Sequence, residues 1–320
     1  MVLEINYYLC QNLIPMNPTI DFSTLSEQLR AAETRRRVAV AKPGDDHTRE
    51  VVMRSLQEGL SDFLLVADEK CRVEADKIGR EYPENVTVYY ADDDVAVARK
   101  AVELVRNGDA DVLMKGTLNT DVLLRAVLDK EHGIMKKGSV LSHVTMAQIP
   151  SYKKLLLFSD AAVIPRPTTE QFDAIIRYTT GVFRKICEGT PNVALIHCTE
   201  KTNEKFPHTL SYAEITKMAD EGAYGDILIG GPMDVKTACD AESGKIKGIC
   251  SPVTGNADIL VFPNIESGNV FYKTITVFAN ALTAGMLCGT TAPVVVASRA
   301  DSSQSKYCSL ILACATAEKK

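Results

Sequence analysis

The stretch Leu113-Met114-Lys115-Gly116-Thr117-Leu118-Asn119-Thr120-Asp121 carries the pattern that decides the fold. An apolar segment ends at Met114, a turn with one glycine follows, and Asn119 and Thr120 precede an amphipathic run that contains Arg125. Asn and Thr are favoured where a helix begins, because a side-chain oxygen can accept from a free backbone N–H. The stretch therefore predicts a buried strand that turns directly into a helix near Asn119 or Thr120.

The same alternation of short β-branched runs and longer amphipathic segments extends along the chain. The predicted strands are residues 38–41, 63–67, 86–90, 112–114, 155–158, 193–197, 227–229, 259–262 and 294–297, and the predicted helices include 94–105, 170–187, 212–221 and 270–286. Continuous apolar strands separated by helices are typical of parallel sheets that are covered on both faces. The predicted fold class is α/β.

Length and composition narrow the class of protein. At 320 residues the chain fits two domains or one large α/β unit. Its hydrophobic share of 46% supplies enough material for a buried interior. The formal net charge of −5 argues against general affinity for nucleic acid, which requires a basic face. An anionic ligand would therefore need a local basic pocket.

The chain carries no pattern for a membrane, a signal peptide or a metal site. No apolar run reaches the ~20 residues that a membrane helix needs. Residues 1–15 contain Glu4 and Asn6 and lack a basic start, so we interpret them as an extension that precedes Met16. The nine cysteines are scattered without C-x-x-C spacing, which indicates reduced thiols in a cytoplasm.

Two basic residues lie near the turn at Gly116. Ligands of parallel α/β sheets collect beyond the carboxyl ends of the strands, where helix N–H groups favour anions. Gly116 permits close backbone approach, and Lys115 and Arg125 are candidates to hold a phosphate or a nucleotide. A capped helix with two solvated bases fits the same pattern, and the residues alone do not separate the two interpretations.

A second strand end runs into Ser298-Arg299-Ala300-Asp301-Ser302. A hydroxyl, a guanidinium and a carboxylate are concentrated there, and arginine suits a phosphate because it binds in a bidentate fashion. A simpler interpretation of Asp301 is a helix cap, since Gln304 three residues later would complete a capping box.

Polar residues at a third strand end, within residues 255–273, suggest a second wall of the same cleft, with Gly268-Asn269 opening a helix. His143 is either a proton carrier or a satisfied, partly buried histidine. The chain contains no Walker sequence, no nucleophile elbow and no Gly-x-Gly-x-x-Gly, which argues against a Rossmann-type nicotinamide enzyme.

Together these segments resemble one family, the phosphate acetyl/butyryltransferases. The matching motifs, in chain order, are Met114-Lys115-Gly116 with Thr120 and residues 124–128, Leu141-Ser142-His143, residues 156–162 and 165–171, Gly231-Pro232-Met233, residues 255–273, and residues 298–302. The resemblance extends from about Ser23 to the end, and the series in this order is specific. Some motifs are more similar to the butyryl branch and residues 165–171 to the acetyl branch, so the acyl preference stays open.

The resemblance implies a two-domain αβα sandwich like that of isocitrate and isopropylmalate dehydrogenases, with the active-site cleft between the domains. Domain 1 would be built from residues 16–142 and 288–320, and domain 2 from residues 143–287. It also implies a homodimer, joined through domain 2.

The activity implied by the resemblance is transfer of an acyl group between coenzyme A and inorganic phosphate, with coenzyme A as a substrate and no permanently bound cofactor. Ser298 and Arg299 match the active-site pair of the family. In the acetyl branch an acid lies further into the C-terminal helix, where this chain has Ser305 or Lys306, so we predict Asp301 as the catalytic base. The residues predicted to bind phosphate or coenzyme A are Lys115, Gly116, Thr117, Arg125, Ser142, His143 and Asn269.

Two other functions stay open at this point. A dehydrogenase of the same fold, using NAD and a metal, would need clustered aspartates, and the dense cluster Asp92-Asp93-Asp94 looks like a solvated turn. A non-catalytic regulator that binds acyl-CoA or acyl phosphate would follow if the chain lacked a base.

Overall fold

A computed structural model of the chain describes residues 20–249, 251–297 and 301–318, and the predicted extension 1–15 lies outside them. The helices are α1 (Phe22–Arg30), α2 (Asp46–Gln57), α3 (Arg72–Glu81), α4 (Asp94–Arg106), α5 (Thr120–Val127), α6 (Thr169–Ile186), α7 (His208–Asp220), α8 (Val235–Cys239), α9 (Ala241–Lys247), α10 (Ile265–Phe278) and α11 (Ser303–Thr316). The strands are β1 (Arg36–Ala41), β2 (Ser61–Ala67), β3 (Val86–Tyr90), β4 (Val112–Lys115), β5 (Ser142–Gln148), β6 (Leu155–Ser159), β7 (Asn192–Ile196), β8 (Leu228–Met233), β9 (Ile259–Val261), β10 (Leu282–Cys288) and β11 (Val294–Val295). Within these described ranges, none of the helices has the length and apolar character needed to cross a membrane.

The eleven described strands form one mixed sheet in the order β3-β2-β1-β4-β11-β10-β5-β6-β9-β7-β8. Strands β3, β2, β1, β4 and β11 are parallel to one another, and so are β6, β9, β7 and β8. Strands β10 and β5 separate the two groups and pair antiparallel with each other and with their outer neighbours. Because three antiparallel pairings lie between them, the two parallel groups run in opposite directions. The α/β class is confirmed.

The prediction of purely parallel sheets is wrong at the two central strands. Strand β10 takes residues that the sequence pattern assigns to a helix over 270–286. Helix α10 ends at Phe278 instead, and Asn280 adopts a left-handed φ of 49° that turns the chain into the strand. Strand β5 shows a weak alternation because most of its residues are buried on both faces of the sheet.

Helices cover both faces of the sheet and produce an αβα layering. On one face a single hydrophobic cluster extends across the whole sheet and includes residues of α1, α2, α3, α6, α7 and α11. The other face carries two clusters, one under α4 and α5 and one under α8 and α10. The C-terminal helix α11 packs against α1, α2 and β10, so the two ends of the described chain lie together.

Candidate active site

A cleft of about 610 Å³ opens at the carboxyl ends of β4 and β11. Because these strands are parallel neighbours, the residues that follow them emerge side by side. The cleft is lined by Lys115, Leu118, Asn119, Thr120, Asp121, Val296 and Ala297. The predicted catalytic residues Ser298 and Arg299 follow Ala297 directly in the chain and lie outside the described residues.

Gly116 brings the turn after β4 against the end of β1. The N–H of Gly116 donates to the carbonyl oxygen of Ala41 (2.9 Å), and the N–H of Thr117 donates to that of Lys42 (2.9 Å). The hydroxyl of Thr117 donates to the same Lys42 oxygen at 3.2 Å. A Cβ at position 116 would lie 2.7 Å from the carbonyl carbon of Lys42. Gly116 and Thr117 therefore shape the wall of the cleft, and the close approach that glycine permits here is to protein backbone.

The side chain of Lys115 is buried inside this turn, with 5% of the residue exposed. Its Nζ donates to the carbonyl oxygens of Gly116 (3.0 Å) and Leu118 (3.1 Å). These bonds fix the ammonium group at the cleft wall. A fixed positive charge there favours an anionic ligand in a chain whose net charge is negative.

Arg125 lies on α5, one helical turn beyond Asp121, which lines the cleft. Residues four apart share a helix face, so Arg125 projects from the same face of α5 as Asp121. The Arg125 side chain is exposed and forms no hydrogen bond or ion pair within the part of the chain that the structure describes. It does not line the cleft itself.

A smaller cavity of about 30 Å³, the polar chamber, adjoins the cleft, and Val296 and Ala297 line both. Its polar lining residues are His143, Tyr272, Thr283, Asp301, Ser305 and Ser309. The volume suits about one water molecule, since ~10–15 Å³ is the minimum for one. The fold therefore brings together His143 and Asp301, which were predicted from separate motifs.

The ring of His143 lies over β10 at Gly285, where a Cβ would be 2.7 Å from both Cε1 and Nε2. Its Nδ1 lies 3.1 Å from the hydroxyl oxygen of Thr145. Burial lowers the pKa of His143 below the usual 6.5, although the charges of Asp160 and Asp301 act in the opposite direction. Burial therefore favours the neutral form of the imidazole.

Asp301 does not cap the C-terminal helix, so its interpretation as a capping residue is wrong. Ser302 is the cap of α11, and its hydroxyl oxygen accepts from the N–H of Ser305 at 3.2 Å. The Asp301 carboxylate lines the polar chamber, where the hydroxyl of Tyr272 donates to Oδ1 at 3.4 Å.

Asp160 organises the wall behind His143, although sequence reasoning did not place it in the site. Its Oδ2 accepts from the hydroxyl of Ser142 (2.9 Å) and from the N–H of His143 (3.1 Å). Its Oδ1 accepts from the N–H groups of Ala162 and Val163, both at 2.8 Å. Ser142, predicted to bind substrate, is thus fully buried in this network. The position of Asp160 directly after a buried strand was the signal available in the sequence.

Asn269 ties α10 to the loop that follows β6. Its Nδ2 donates to the carbonyl oxygen of Ala161 at 3.1 Å. Gly268 lies against the same loop, because a Cβ there would be 3.1 Å from the carbonyl carbon of Asp160. The helix begins at Ile265 rather than at Gly268. Asn269 therefore holds the second wall together through a structural contact.

The aspartates at 92–94 have separate structural roles, and the prediction of a solvated turn is wrong for Asp94. Asp93 caps α4 by accepting from the N–H of Ala96 (2.8 Å). Asp94 lies 2.5 Å from Nζ of Lys42, which also contacts Asp68 at 2.8 Å. Burial acts to lower the pKa of Lys42, but the two carboxylates outweigh it and raise that pKa above 10.5. In the described ranges no group of three or more His, Cys, Asp or Glu residues is arranged to hold a metal ion.

The sequence matches a family profile and many known proteins. A family profile described as "Phosphate acetyl/butaryl transferase" matches residues 93–314. A phosphate butyryltransferase of Clostridium acetobutylicum is 37% identical over 300 residues, which cover 93% of this chain and 99% of that protein. A phosphate acetyltransferase of Thermotoga maritima is 35% identical over 280 residues, which cover 87% of this chain and 94% of that protein.

Solved structures of phosphotransacylases share the fold of this chain. A branched-chain phosphotransacylase from Enterococcus faecalis V583 superposes with a TM-score of 0.78 at 31% identity, covering 88% of this chain and 98% of that one. A phosphotransacetylase from Streptococcus pyogenes shares the fold, with a TM-score of 0.78 at 22% identity over 92% of this chain and 98% of that one. These relatives favour neither the dehydrogenase nor the non-catalytic regulator. The chain belongs to the phosphate acetyl/butyryl transferase family.

Proposed function

We propose that the chain transfers an acyl group between coenzyme A and inorganic phosphate, so that acyl-CoA and phosphate give acyl phosphate and CoA. Membership of the family supports this reaction. The proposed location of the reaction rests on one observation, that the Lys115 turn and the segment leading into Ser298-Arg299 line one cleft. Both substrates are anions, and the cleft presents a fixed ammonium group and the N-terminus of α5 to them.

The transfer is direct and takes place while both substrates are bound. A phosphate oxygen attacks the thioester carbonyl, and in reverse the CoA thiol attacks the acyl phosphate. Holding two anionic reactants in contact contributes up to roughly 7–11 kcal/mol to lowering the barrier. The reaction requires no acylated residue, no permanently bound cofactor and no metal.

The basic and hydroxyl side chains have separate roles in this proposal. Arg299 binds the phosphoryl group and offsets the charge that develops in the tetrahedral transition state. Ser298 donates to the oxyanion or orients the thiol, and one such donor is worth about 3 kcal/mol. Lys115 and Arg125 bind the phosphate or the pyrophosphate of coenzyme A.

Asp301 is the proposed general base for the thiol. In the acetyl branch the corresponding acid lies further into the C-terminal helix, at the position of Ser305 or Lys306 here. Ser305 and Asp301 line the same polar chamber, which supports Asp301 as its replacement. An alkyl thiol titrates near ~8.5, so a carboxylate within hydrogen-bond reach increases the thiolate fraction during attack.

We also propose the two-domain division of the isocitrate and isopropylmalate dehydrogenases, with residues 16–142 and 288–320 in domain 1 and residues 143–287 in domain 2. The two separate clusters on one face of the sheet support this division. The packing of α11 on α1 and α2 supports a domain 1 built from both chain ends. We further propose that the chain forms a cytoplasmic homodimer joined through domain 2.

The test is thiol release from acetyl-, propionyl-, butyryl- and isobutyryl-CoA, each measured with and without phosphate. We expect release that depends on phosphate and initial-rate patterns that intersect, and the order of kcat/KM values gives the acyl preference. Calorimetric binding of CoA without phosphate-dependent turnover would overturn the proposed activity. Ping-pong kinetics, or an acylated residue trapped by mass spectrometry, would overturn direct transfer.

A further inference from the structure

Tyr272 reaches the polar chamber from α10, on a part of the chain remote from the Ser298-Arg299 segment. Its ring packs in the aromatic cluster of α10, with its centroid 6.4 Å from that of Phe158. Its hydroxyl donates to Oδ1 of Asp301 at 3.4 Å, across 29 residues of sequence. The contact therefore links α10 to the segment that precedes α11.

The Tyr272 hydroxyl keeps its proton over the working pH range. Burial raises the pKa of Tyr272, and the neighbouring Asp301 charge raises it further. The phenol is therefore a hydrogen-bond donor, and the carboxylate can only accept. The bond from Tyr272 therefore restrains the orientation of the Asp301 carboxylate.

Other titratable groups lie around the chamber in the part of the chain that the structure describes. His143 faces it from β5, with Asp160 acting on the imidazole from the end of β6. On α11, Lys306 is directed away and pairs with Asp45 at 3.2 Å. Tyr272 therefore supplies a fixed donor on the α10 side of the chamber.

We propose that Tyr272 is a positioning residue for acyl transfer, which holds the Asp301 carboxylate at the chamber through Oδ1 so that Oδ2 takes the proton of the CoA thiol. The proposal rests on the function proposed above. In the direction of acyl-CoA formation the S–H bond breaks, the proton moves to Oδ2 and the sulfur electron pair forms the bond to the acyl carbon. The bond from that carbon to the phosphate oxygen breaks, and the departing phosphate receives the proton from Asp301.

The variant Tyr272→Phe tests this, because it removes the hydroxyl and keeps the ring in its aromatic cluster. We expect kcat to fall about 10- to 100-fold, a part of the ~10²–10⁴ that a positioned base contributes. KM values for CoA and acyl phosphate should change less than about twofold, since the substrate-binding groups are untouched. A purely structural role for Tyr272 would not confine the loss to kcat in this way.

Tyr152→Phe is the matched control. Its hydroxyl is also bonded to protein, donating to the carbonyl oxygen of Ala257 at 2.6 Å, and its ring packs against the same hydrophobic cluster. This variant should keep the wild-type kcat and KM values. Equal loss in both variants would show that any missing hydroxyl in this cluster has the same effect and would overturn the inference.

A double-mutant cycle with Asp301→Asn provides the second measurement. If Tyr272 acts through Asp301, Tyr272→Phe should have little further effect once the carboxylate is gone. Additive losses would overturn the inference, and so would a Tyr272→Phe variant with wild-type kcat. Failure of the proposed function is distinguishable, since the wild-type protein itself would then release no thiol in a phosphate-dependent way.

Discussion

Replacing Gly116 by alanine tests whether the turn that walls the cleft depends on backbone contact with Lys42. The added Cβ would overlap the Lys42 carbonyl oxygen and lie 2.7 Å from its carbonyl carbon, whereas ordinary contacts begin at 3.4 Å, so the turn must retreat by at least about 0.7 Å. Its two backbone bonds, to Ala41 and Lys42, are each 2.9 Å long and would lengthen to at least about 3.6 Å, beyond the range of a hydrogen bond. Two lost bonds at about 1 kcal/mol each, with about 1–3 kcal/mol for overpacking, predict a loss of roughly 3–5 kcal/mol.

Urea unfolding gives the free energy of unfolding, and initial rates at varied phosphate give KM on the same preparation. We expect the stability loss together with a raised KM for phosphate, because Lys115 donates to carbonyl oxygens of the displaced turn. Gly181→Ala is the control, since no atom lies within 4 Å of its Cβ and α6 should gain about 0.5–1 kcal/mol. A Gly116→Ala protein with wild-type stability and wild-type KM would refute the reasoning.

Three further predictions concern single side chains. Arg125→Gln should raise KM for phosphate or CoA about tenfold with little change in kcat, and unchanged KM values would remove Arg125 from the site. Asp68→Asn should lower the free energy of unfolding by about 1–3 kcal/mol at pH 7. Burial acts to raise the pKa of Asp68, but Lys42 lowers it below the usual value. The carboxylate therefore stabilises the fold above about pH 4, and this stabilisation is lost as the pH falls through the folded-state pKa. The unfolding free energies of wild type and variant, measured in urea, should become equal near pH 2, and a difference that persists there would contradict this assignment. Iodoacetamide at pH 8 should modify the exposed Cys198 in the native protein and spare Cys71, whose pKa burial raises to about 11, with mass spectrometry as the readout.

Most of the α/β pattern was predictable because the outer strands are short apolar runs between amphipathic helices. The strand ending before Gly116 and the helix beginning after Asn119 lie where the residues place them. The two central strands were not predicted, because β5 is buried on both faces and β10 continues an apolar stretch after α10. Such segments have no helical or alternating period to distinguish them.

In the site, strand ends indicated where polar groups would collect, since carboxyl ends of parallel neighbours emerge together. Residue type alone did not separate roles. Asp301 fits a helix cap by local pattern, yet Ser302 caps the helix and Asp301 meets Tyr272. Ser142 and Asn269 look like ligand-binding groups, yet their hydrogen bonds are made to Asp160 and Ala161.

The sequence by itself determined the α/β class, the turn at Gly116 and the two segments that border the cleft. All of these depend on residues a few positions apart, whose periodicity and backbone preferences act locally. Only the tertiary structure decided the central antiparallel strands, the network around Asp160 and the contact of Tyr272 with Asp301. These depend on pairing between segments far apart in the chain, where geometry is set by packing of the whole sheet and leaves no local pattern.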